Sequence, residues 1–350
     1  MHLLRRVPLL LVFLALAGCR ATLYEPTPSV DLPPRPEQLE DNLRGHVQVL
    51  AGEIGERNCF RRNNYDAAAD YIEQTFKETG LAVRRQAVIV PECDRFKCGA
   101  MTVYNIEVVL PGREPGGTIV IGAHYDTKVA SPHWKDSGTR PLLDQPGTPG
   151  ADDNASGVAV LLELARELSK TRPRYTIRFV AFANEEPPFF QTDAMGSAVY
   201  ARSLVDDGVD VRAMIAMDTI GCFHKTSSSK RPGAASLFNL PYTFDYVMMI
   251  GNLRGRRLMH RSAKLFQDHA HTPVRVLTLP RLVRGIAWSD DASFWEQGIP
   301  AFCLTDSAYL RNDRYHGVDD TPDTLDYGPM ADIAWAMRFV VETLAGGSGP

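Results

Sequence analysis

Two adjacent carboxylates stand at the end of an apolar stretch of the chain. Glu185 and Glu186 follow residues 176–183, whose composition is that of a buried strand. Neighbouring negative charges repel each other, and an isolated ion in an apolar site costs several kcal/mol or becomes neutral. We therefore expect a positive charge beside this pair.

Further side chains that could bind a metal also lie next to predicted strands or helices, except for His316, which lies in a turn-rich segment near the C-terminus. They occur in the order His124, Asp126, Asp152, Asp153, Asp218 and His316. Histidine and carboxylate groups are good ligands for zinc. Two zinc ions about 3.5–4 Å apart need one bridging carboxylate and further ligands on each ion. Two Zn²⁺ ions would also balance the charge of four carboxylates, those of Asp153, Glu185, Glu186 and Asp218.

The elements that must position these residues alternate between strands and helices. Apolar periodicity predicts helices over residues 38–53, 64–79, 157–169, 257–270 and 330–344, with Ser156 as the N-cap of the third. Strands are predicted over residues 103–110, 118–123, 176–183, 212–217 and 301–304. This alternation predicts an α/β fold, a single globular domain whose mostly parallel central sheet has mixed edges and helices on both faces. Ligands of such sheets bind beyond the carboxyl ends of the strands.

The candidate residues resemble the motifs of a known family. His124-x-Asp126, Asp153-Asn154-Ala155-Ser156-Gly157, Glu185-Glu186, Asp218 and His316 occur in the order found in the co-catalytic di-zinc aminopeptidases. That family includes bacterial leucyl aminopeptidase, aminopeptidase Y and glutamate carboxypeptidase. The resemblance covers residues 38–344, and although each short motif is common, five in this order are specific.

The resemblance implies a zinc-exopeptidase fold and a role for each residue. Asp153, rather than its neighbour Asp152, would bridge two zinc ions. The other ligands would be His124 and Asp218 on one ion, and Glu186 and His316 on the second. Glu185 would be the general base, Asp126 would orient His124, and the peptide bond between Asp153 and Asn154 would be cis. One residue departs from the pattern, because Asp291 stands where many members carry histidine.

The N-terminal residues have the pattern of an export signal. Arg5 and Arg6 precede an apolar run over residues 7–17, which is shorter than the about 20 residues that a membrane-spanning helix needs. Leu16-Ala17-Gly18-Cys19 resembles a bacterial lipoprotein box. We therefore expect residues 1–18 to be removed as a signal peptide and Cys19 to be lipidated. Residues 19–37 are rich in proline and are predicted to form an extended tether, and residues 38–350 form the catalytic domain.

The cysteines suggest possible disulfide or zinc partners, and the net charge bears on nucleic-acid binding. In an oxidising compartment Cys93 and Cys98 could close a small loop, with Cys59 as a competing partner, or the three could form a zinc cluster. The odd count leaves at least one buried free thiol, and Cys222 and Cys303 remain. The net charge of −4 and the lack of a basic stripe argue against nucleic-acid binding.

The sequence thus predicts a zinc-dependent exopeptidase and favours an aminopeptidase that acts on peptides with free N-termini. It would lie in the bacterial cell envelope, facing the periplasm or the outer surface, and would meet the membrane only through the lipid on Cys19. Glutaminyl cyclase with one zinc ion and carboxypeptidase are the alternatives. A non-catalytic binding ectodomain is least favoured, because such proteins tend to lose metal ligands and this chain keeps all five together with Glu185.

Overall fold

The computed structural model describes residues 21–25, 34–92, 99–131, 141–223, 245–281, 283 and 286–347. Within this part of the chain the strands are β1 (Thr22–Tyr24), β2 (Val83–Val90), β3 (Met101–Leu110), β4 (Thr118–His124), β5 (Thr176–Phe182), β6 (Val211–Met217), β7 (Val247–Asn252), β8 (Val274–Leu279) and β9 (Ala301–Thr305). They form one sheet in the order β1-β8-β7-β9-β6-β4-β5-β3-β2.

Helices cover both faces of the sheet. They are α1 (Leu39–Val47), which continues as a π-helical segment, α2 (Arg62–Lys77), α3 (Gly157–Leu168), α4 (Gly196–Asp206), α5 (Arg256–Gln267), α6 (Asp291–Glu296), α7 (Ala308–Arg311) and α8 (Tyr327–Leu344). One core cluster joins the sheet to α1, α2, α3, α5 and α8, and the second joins it to α4 and α6. None of the helices among the described residues has the length and apolarity to cross a membrane.

The centre of the sheet is parallel and its edges are mixed. Strands β9, β6, β4 and β5 run in one direction, and β4 is buried along its whole length, as is typical of parallel strands covered on both faces. Strands β2 and β3 are antiparallel to each other, and β7 and β8 form a parallel pair that runs opposite to β9. The predicted fold class is confirmed.

One predicted boundary needs correction, because part of the proline-rich tether is folded. Thr22–Tyr24 forms β1, which pairs with Val274 to Val276 of β8. The hydroxyl of Tyr24 also lies within hydrogen-bond distance of His260 Nδ1 in α5, at 2.7 Å. Without β1 the outer edge of β8 would expose unpaired N–H and C=O groups, so this short strand protects the edge.

The structure addresses the cysteine predictions only in part. Cys222 and Cys303 are buried free thiols, which confirms the prediction of at least one such thiol. Cys19, Cys93 and Cys98 lie outside the described residues, and with them the predicted lipidation and the predicted small disulfide loop.

A test of the packing that positions the end of β4 is Gly122→Ala. The ring of Phe182 occupies the space that a Cβ at Gly122 would need. We expect the free energy of unfolding in urea to fall by about 1–3 kcal/mol. Gly45→Ala in α1 is the control, because no atom lies within 4 Å of its new Cβ, and it should be neutral or stabilise by up to about 1 kcal/mol. Equal losses in both variants would contradict this account.

Candidate metal centre

Three neighbouring parallel strands deliver most of the candidate ligands to one edge of the sheet. His124 is the last residue of β4, and Asp218 directly follows β6. Glu185 and Glu186 follow β5 after a short turn in which Asn184 has a φ of 57°. Because the carboxyl ends of parallel strands meet at the same edge, side chains that are far apart in sequence converge there.

Two triads of ligand atoms share Asp153. His124, Asp153 and Asp218 form the first triad, and the atoms that each residue offers lie within 4.8 Å of one another. Asp153, Glu186 and His316 form the second by the same measure. Oδ1 of Asp153 lies 3.2 Å from His124 Nε2, and Oδ2 lies 2.9 Å from His316 Nε2. The structure therefore brings together the five predicted ligands, with one oxygen of Asp153 facing each histidine.

The segment that carries Asp153 is fixed by its neighbour Asn154. The peptide bond between them is cis, as the resemblance implies. The side-chain amide of Asn154 donates to the carbonyl oxygen of Met217 at 2.9 Å, and its Oδ1 accepts from the N–H of Gly157 at 3.0 Å. Asn154 thus joins the segment to the end of β6 and to the first residue of α3. Ser156 stands at the N-cap position of α3, as predicted, but its side chain makes no capping hydrogen bond.

Asp152 has a different task from Asp153. Its Oδ1 accepts from the backbone N–H of Gly221 and its Oδ2 accepts from the side-chain amide of Asn312, both at 2.9 Å. Both oxygens are therefore engaged in holding other loops. This geometry supports Asp153 as the bridging residue of the adjacent pair.

Asp126 contacts His124 mainly through its backbone. The imidazole Nδ1 lies 3.2 Å from the carbonyl oxygen of Asp126 and 3.6 Å from its carboxylate Oδ1. An Nδ1–H that donates to this carbonyl leaves Nε2 facing the triad. The carboxylate itself accepts the backbone N–H groups of Glu185 and Glu186, each at 3.0 Å. Asp126 therefore also holds the adjacent glutamates in place, which the sequence analysis did not predict.

Asp320 holds the segment of Asp153 in the same way, a role that the sequence motifs did not predict. Its Oδ1 accepts from the backbone N–H of Asp152 at 2.9 Å, and its Oδ2 accepts from that of Asp153 at 3.1 Å. The sequence signal that could have indicated this role is the position of Asp320, four residues after His316. Asp126 likewise follows a histidine, two residues after His124. Each histidine is thus followed by a carboxylate that accepts hydrogen bonds from backbone N–H groups in a segment that carries another ligand.

The donor atoms of the cluster fit a metal ion. His124 Nε2, Asp153 Oδ2 and Glu186 Oε1 are buried and make no hydrogen bond to any described residue. Buried polar atoms are nearly always hydrogen-bonded, so such atoms that face one another call for a common partner. Imidazole nitrogen and carboxylate oxygen are among the ligand atoms with which proteins bind zinc.

The electrostatics of the site favour a cation. Burial alone would lower the pKa of His316, but the negative charges of Glu186 and Asp153 beside it outweigh burial and raise that pKa to about 10. Burial likewise opposes charge on His124, yet the carboxylate of Glu185 helps to raise its pKa well above the ordinary value. The negative field that keeps a proton on each imidazole would also bind a divalent cation.

The residue that departs from the family motif lies outside both triads. Asp291 begins α6 and is fully buried beside Asp290. Burial raises the pKa of Asp290 to about 7 and that of Asp291 well above its ordinary value. Asp291 is absent from both groups of ligand atoms.

Comparison with known proteins places the chain in a family. The family model described as Peptidase family M28 matches residues 105–341. The chain belongs to Peptidase family M28. This M28 protein is 35% identical to the uncharacterised protein YfbL of Escherichia coli (strain K12), over 87% of each chain. It is 25% identical to a probable zinc metalloprotease of Leptosphaeria maculans, over 81% of this chain and 67% of that one. It is a zinc metallopeptidase, as the motifs predicted.

Solved structures share the fold of this M28 peptidase. The Legionella pneumophila LapA aminopeptidase matches with a TM-score of 0.62 and 20% identity, over 88% of this chain and 73% of that one. A Tannerella forsythia glutaminyl cyclase matches with a TM-score of 0.63 and 16% identity, over 87% and 98%. These likenesses establish the fold, which the aminopeptidase and the cyclase have in common.

Replacement of Asp320 by asparagine tests its positioning role. Asn has one acceptor oxygen, so the N–H of either Asp152 or Asp153 would lose its partner in a buried site. We expect zinc affinity, measured by competition with a chelator, to fall by roughly 10–100-fold. Asp319→Asn is the matched control, because Asp319 is the exposed neighbour, and it should keep wild-type affinity. Unchanged affinity in Asp320→Asn would exclude the positioning role.

Zinc binding should release protons. The raised pKa values mean that His316 and His124 are protonated near neutral pH in metal-free protein, and an imidazole must lose that proton to bind a metal. Zinc affinity should therefore rise with pH between about 6 and 8, by about tenfold per unit for each proton displaced. Calorimetry in buffers of different ionisation enthalpy would count the protons. Affinity that did not change with pH would contradict this interpretation.

Proposed function

We propose that this M28 peptidase is an aminopeptidase that uses two zinc ions. The observation that carries the proposal is the pair of triads that share Asp153, each with one histidine and two carboxylates. His124 and Asp218 would complete one zinc site, and Glu186 and His316 the other. When bound, zinc supplies a Lewis acid that polarises a carbonyl group and makes water more acidic.

Glu185 is the general base in this proposal. Glu185 is 5% exposed, and its Oε2 lies 3.9 Å from His124 Nε2, so the carboxylate borders the triads without belonging to either. Burial raises the pKa of Glu185, which favours proton uptake, and bound cations would act in the opposite direction. Glu185 would take a proton from the water that attacks the peptide carbonyl and deliver it to the departing amine. The carboxylate of Asp126 would hold Glu185 in place by accepting a hydrogen bond from the backbone N–H of Glu185.

A cavity beside Asp218 supports a substrate with an apolar side chain. Its walls include Ile250, Ile286, Trp288 and Tyr309. Because burial of apolar surface favours binding, we propose peptides with a free N-terminus and an apolar first residue as the substrates.

Glutaminyl cyclase is the second candidate, and the fold shared with the Tannerella forsythia enzyme favours it. A cyclase with one zinc ion would close the ring of an N-terminal glutamine and release ammonia. Two complete ligand triads support the peptidase instead. A carboxypeptidase would use the same centre but would recognise a free C-terminus.

The test is hydrolysis of a panel of aminoacyl anilides by the full chain, with and without an N-terminal acetyl group. We expect cleavage of the free substrates only, fastest for apolar residues. Glu185→Gln should keep both zinc ions and lower kcat by about 10²–10⁴-fold. Glu186→Gln is the matched change at the adjacent residue and should instead lower zinc content.

Three outcomes would overturn parts of this proposal. Cleavage of blocked substrates would exclude an aminopeptidase. Pyroglutamate formation from glutaminyl peptides, with one zinc per chain, would establish the cyclase. Wild-type turnover by Glu185→Gln would remove Glu185 from the role of base.

We also propose that the enzyme is a lipoprotein of the bacterial cell envelope. Support comes from the export signal and the box that ends at Cys19. The catalytic domain would face the periplasm or the outer surface, where it meets soluble peptides.

A further inference from the structure

We propose that a basic face of α5 lies against an anionic lipid surface and that the metal centre faces away from it. The proposal rests on lipidation of Cys19 and is independent of the bond that the enzyme cleaves. The α5 face is defined by the exposed residues Leu253, Arg254, Arg256, Arg257, Arg261 and Lys264.

The α5 face carries positive charge without acidic neighbours on its own element. Residues 246–267 contain no aspartate or glutamate. Arg257, Arg261 and Lys264 are spaced at i, i+4 and i+7, so they share one side of the helix, opposite the buried Met259 and Phe266. Within the described part of the chain none of these three cations forms an ion pair. Their charge is therefore available to anionic headgroups.

Strand β1 brings the N-terminal end of the chain to this face. Tyr24 packs on the core and reaches His260 of α5 at 2.7 Å, and Thr22 pairs with Val276 of β8. Cys19 precedes Thr22 by three residues, which span at most about 11 Å when fully extended. A lipid on Cys19 would thus be confined near the α5 face, and not carried at the end of a long tether.

The strand directions decide which end of the sheet meets the lipid. Because β1 is antiparallel to β8, the chain towards Cys19 leaves at the carboxyl end of β8. Strands β7 and β8 run opposite to β9, β6, β4 and β5, so this end is remote from the metal centre. Helix α5 also begins there, since it follows β7 through the short turn Leu253–Gly255. Anchor and cations together would therefore turn the metal centre away from the bilayer.

This proposal corrects one interpretation of the sequence and extends another. No basic stripe is evident in the sequence, because apolar residues such as Leu258 and Met259 separate the cations, and only the helical turn gathers them. The sequence also predicted membrane contact through the lipid alone. A basic surface beside the lipid would add a second contact with anionic headgroups.

The experiment places a fluorophore on each side of the mature, full-length, lipidated chain. Leu253→Cys carries it on the α5 face, and Val318→Cys carries it close to His316. These two positions are 62% and 59% exposed, which makes them a matched pair. The chain is reconstituted into phosphatidylcholine vesicles with or without phosphatidylglycerol, and quenching by iodide is measured. We expect protection at position 253 on the anionic vesicles and free access at position 318. Equal access at both positions would overturn the proposal.

Charge-neutralising variants identify the cause of any protection. Arg257→Gln, Arg261→Gln and Lys264→Gln together should shift the equilibrium towards the undocked state by roughly 100-fold at low salt. The matched control removes the exposed cations Lys77, at the end of α2, and Lys170 and Arg172, in the loop after α3, and it should keep the protection. Both triple variants should hydrolyse a small soluble substrate at the wild-type rate.

Two further results would decide against the proposal. Mass spectrometry of the N-terminal peptide reports lipidation of Cys19 directly, and a mature chain without lipid would overturn the orientation whatever the peptidase activity. Binding of a DNA duplex to the α5 face, with no protection on anionic vesicles, would assign the face to nucleic acid instead.

Discussion

The whole centre depends on one carboxylate that faces two histidines. Asp153 can do so only if its backbone is fixed, because a displacement of about 1 Å would take one oxygen out of reach of its ligand partner. Asn154 supplies one restraint by joining the segment to the end of β6, and Asp320 supplies another by accepting two successive N–H groups. The negative charge that this arrangement concentrates is the driving force for binding a cation.

The two histidine segments also hold the carboxylates that surround them. Asp126 follows His124 and accepts hydrogen bonds from the backbone N–H groups of Glu185 and Glu186. Asp320 follows His316 and accepts hydrogen bonds from the backbone N–H groups of Asp152 and Asp153. A buried N–H group without such a partner would destabilise the fold. Loops that carry ligands for the two triads are thereby tied to each other, so the geometry of one triad is coupled to that of the other.

The mixed direction of the sheet separates two surfaces with different tasks. Parallel strands at the centre collect the ligands at one end. The reversal at β7 and β8 sends β1 and the start of α5 to the other end. In the arrangement that we propose, the same reversal lets the enzyme rest on a membrane while its metal centre remains open to soluble peptides.

The sequence by itself determined the family, the central strands and the set of candidate ligands, because these depend on local patterns and on residue types whose chemistry is specific. Tertiary structure alone showed that Asp152 is engaged elsewhere and that Asp320 grips the backbone of Asp153. It also revealed β1, β2 and β8, and the common face of the cations on α5. A strand at or near the edge of a sheet is stabilised mainly by pairing with distant residues, and the hydrogen bonds of Asp320 depend on which backbone N–H groups the fold brings near. Neither contact leaves a periodic signal in the sequence.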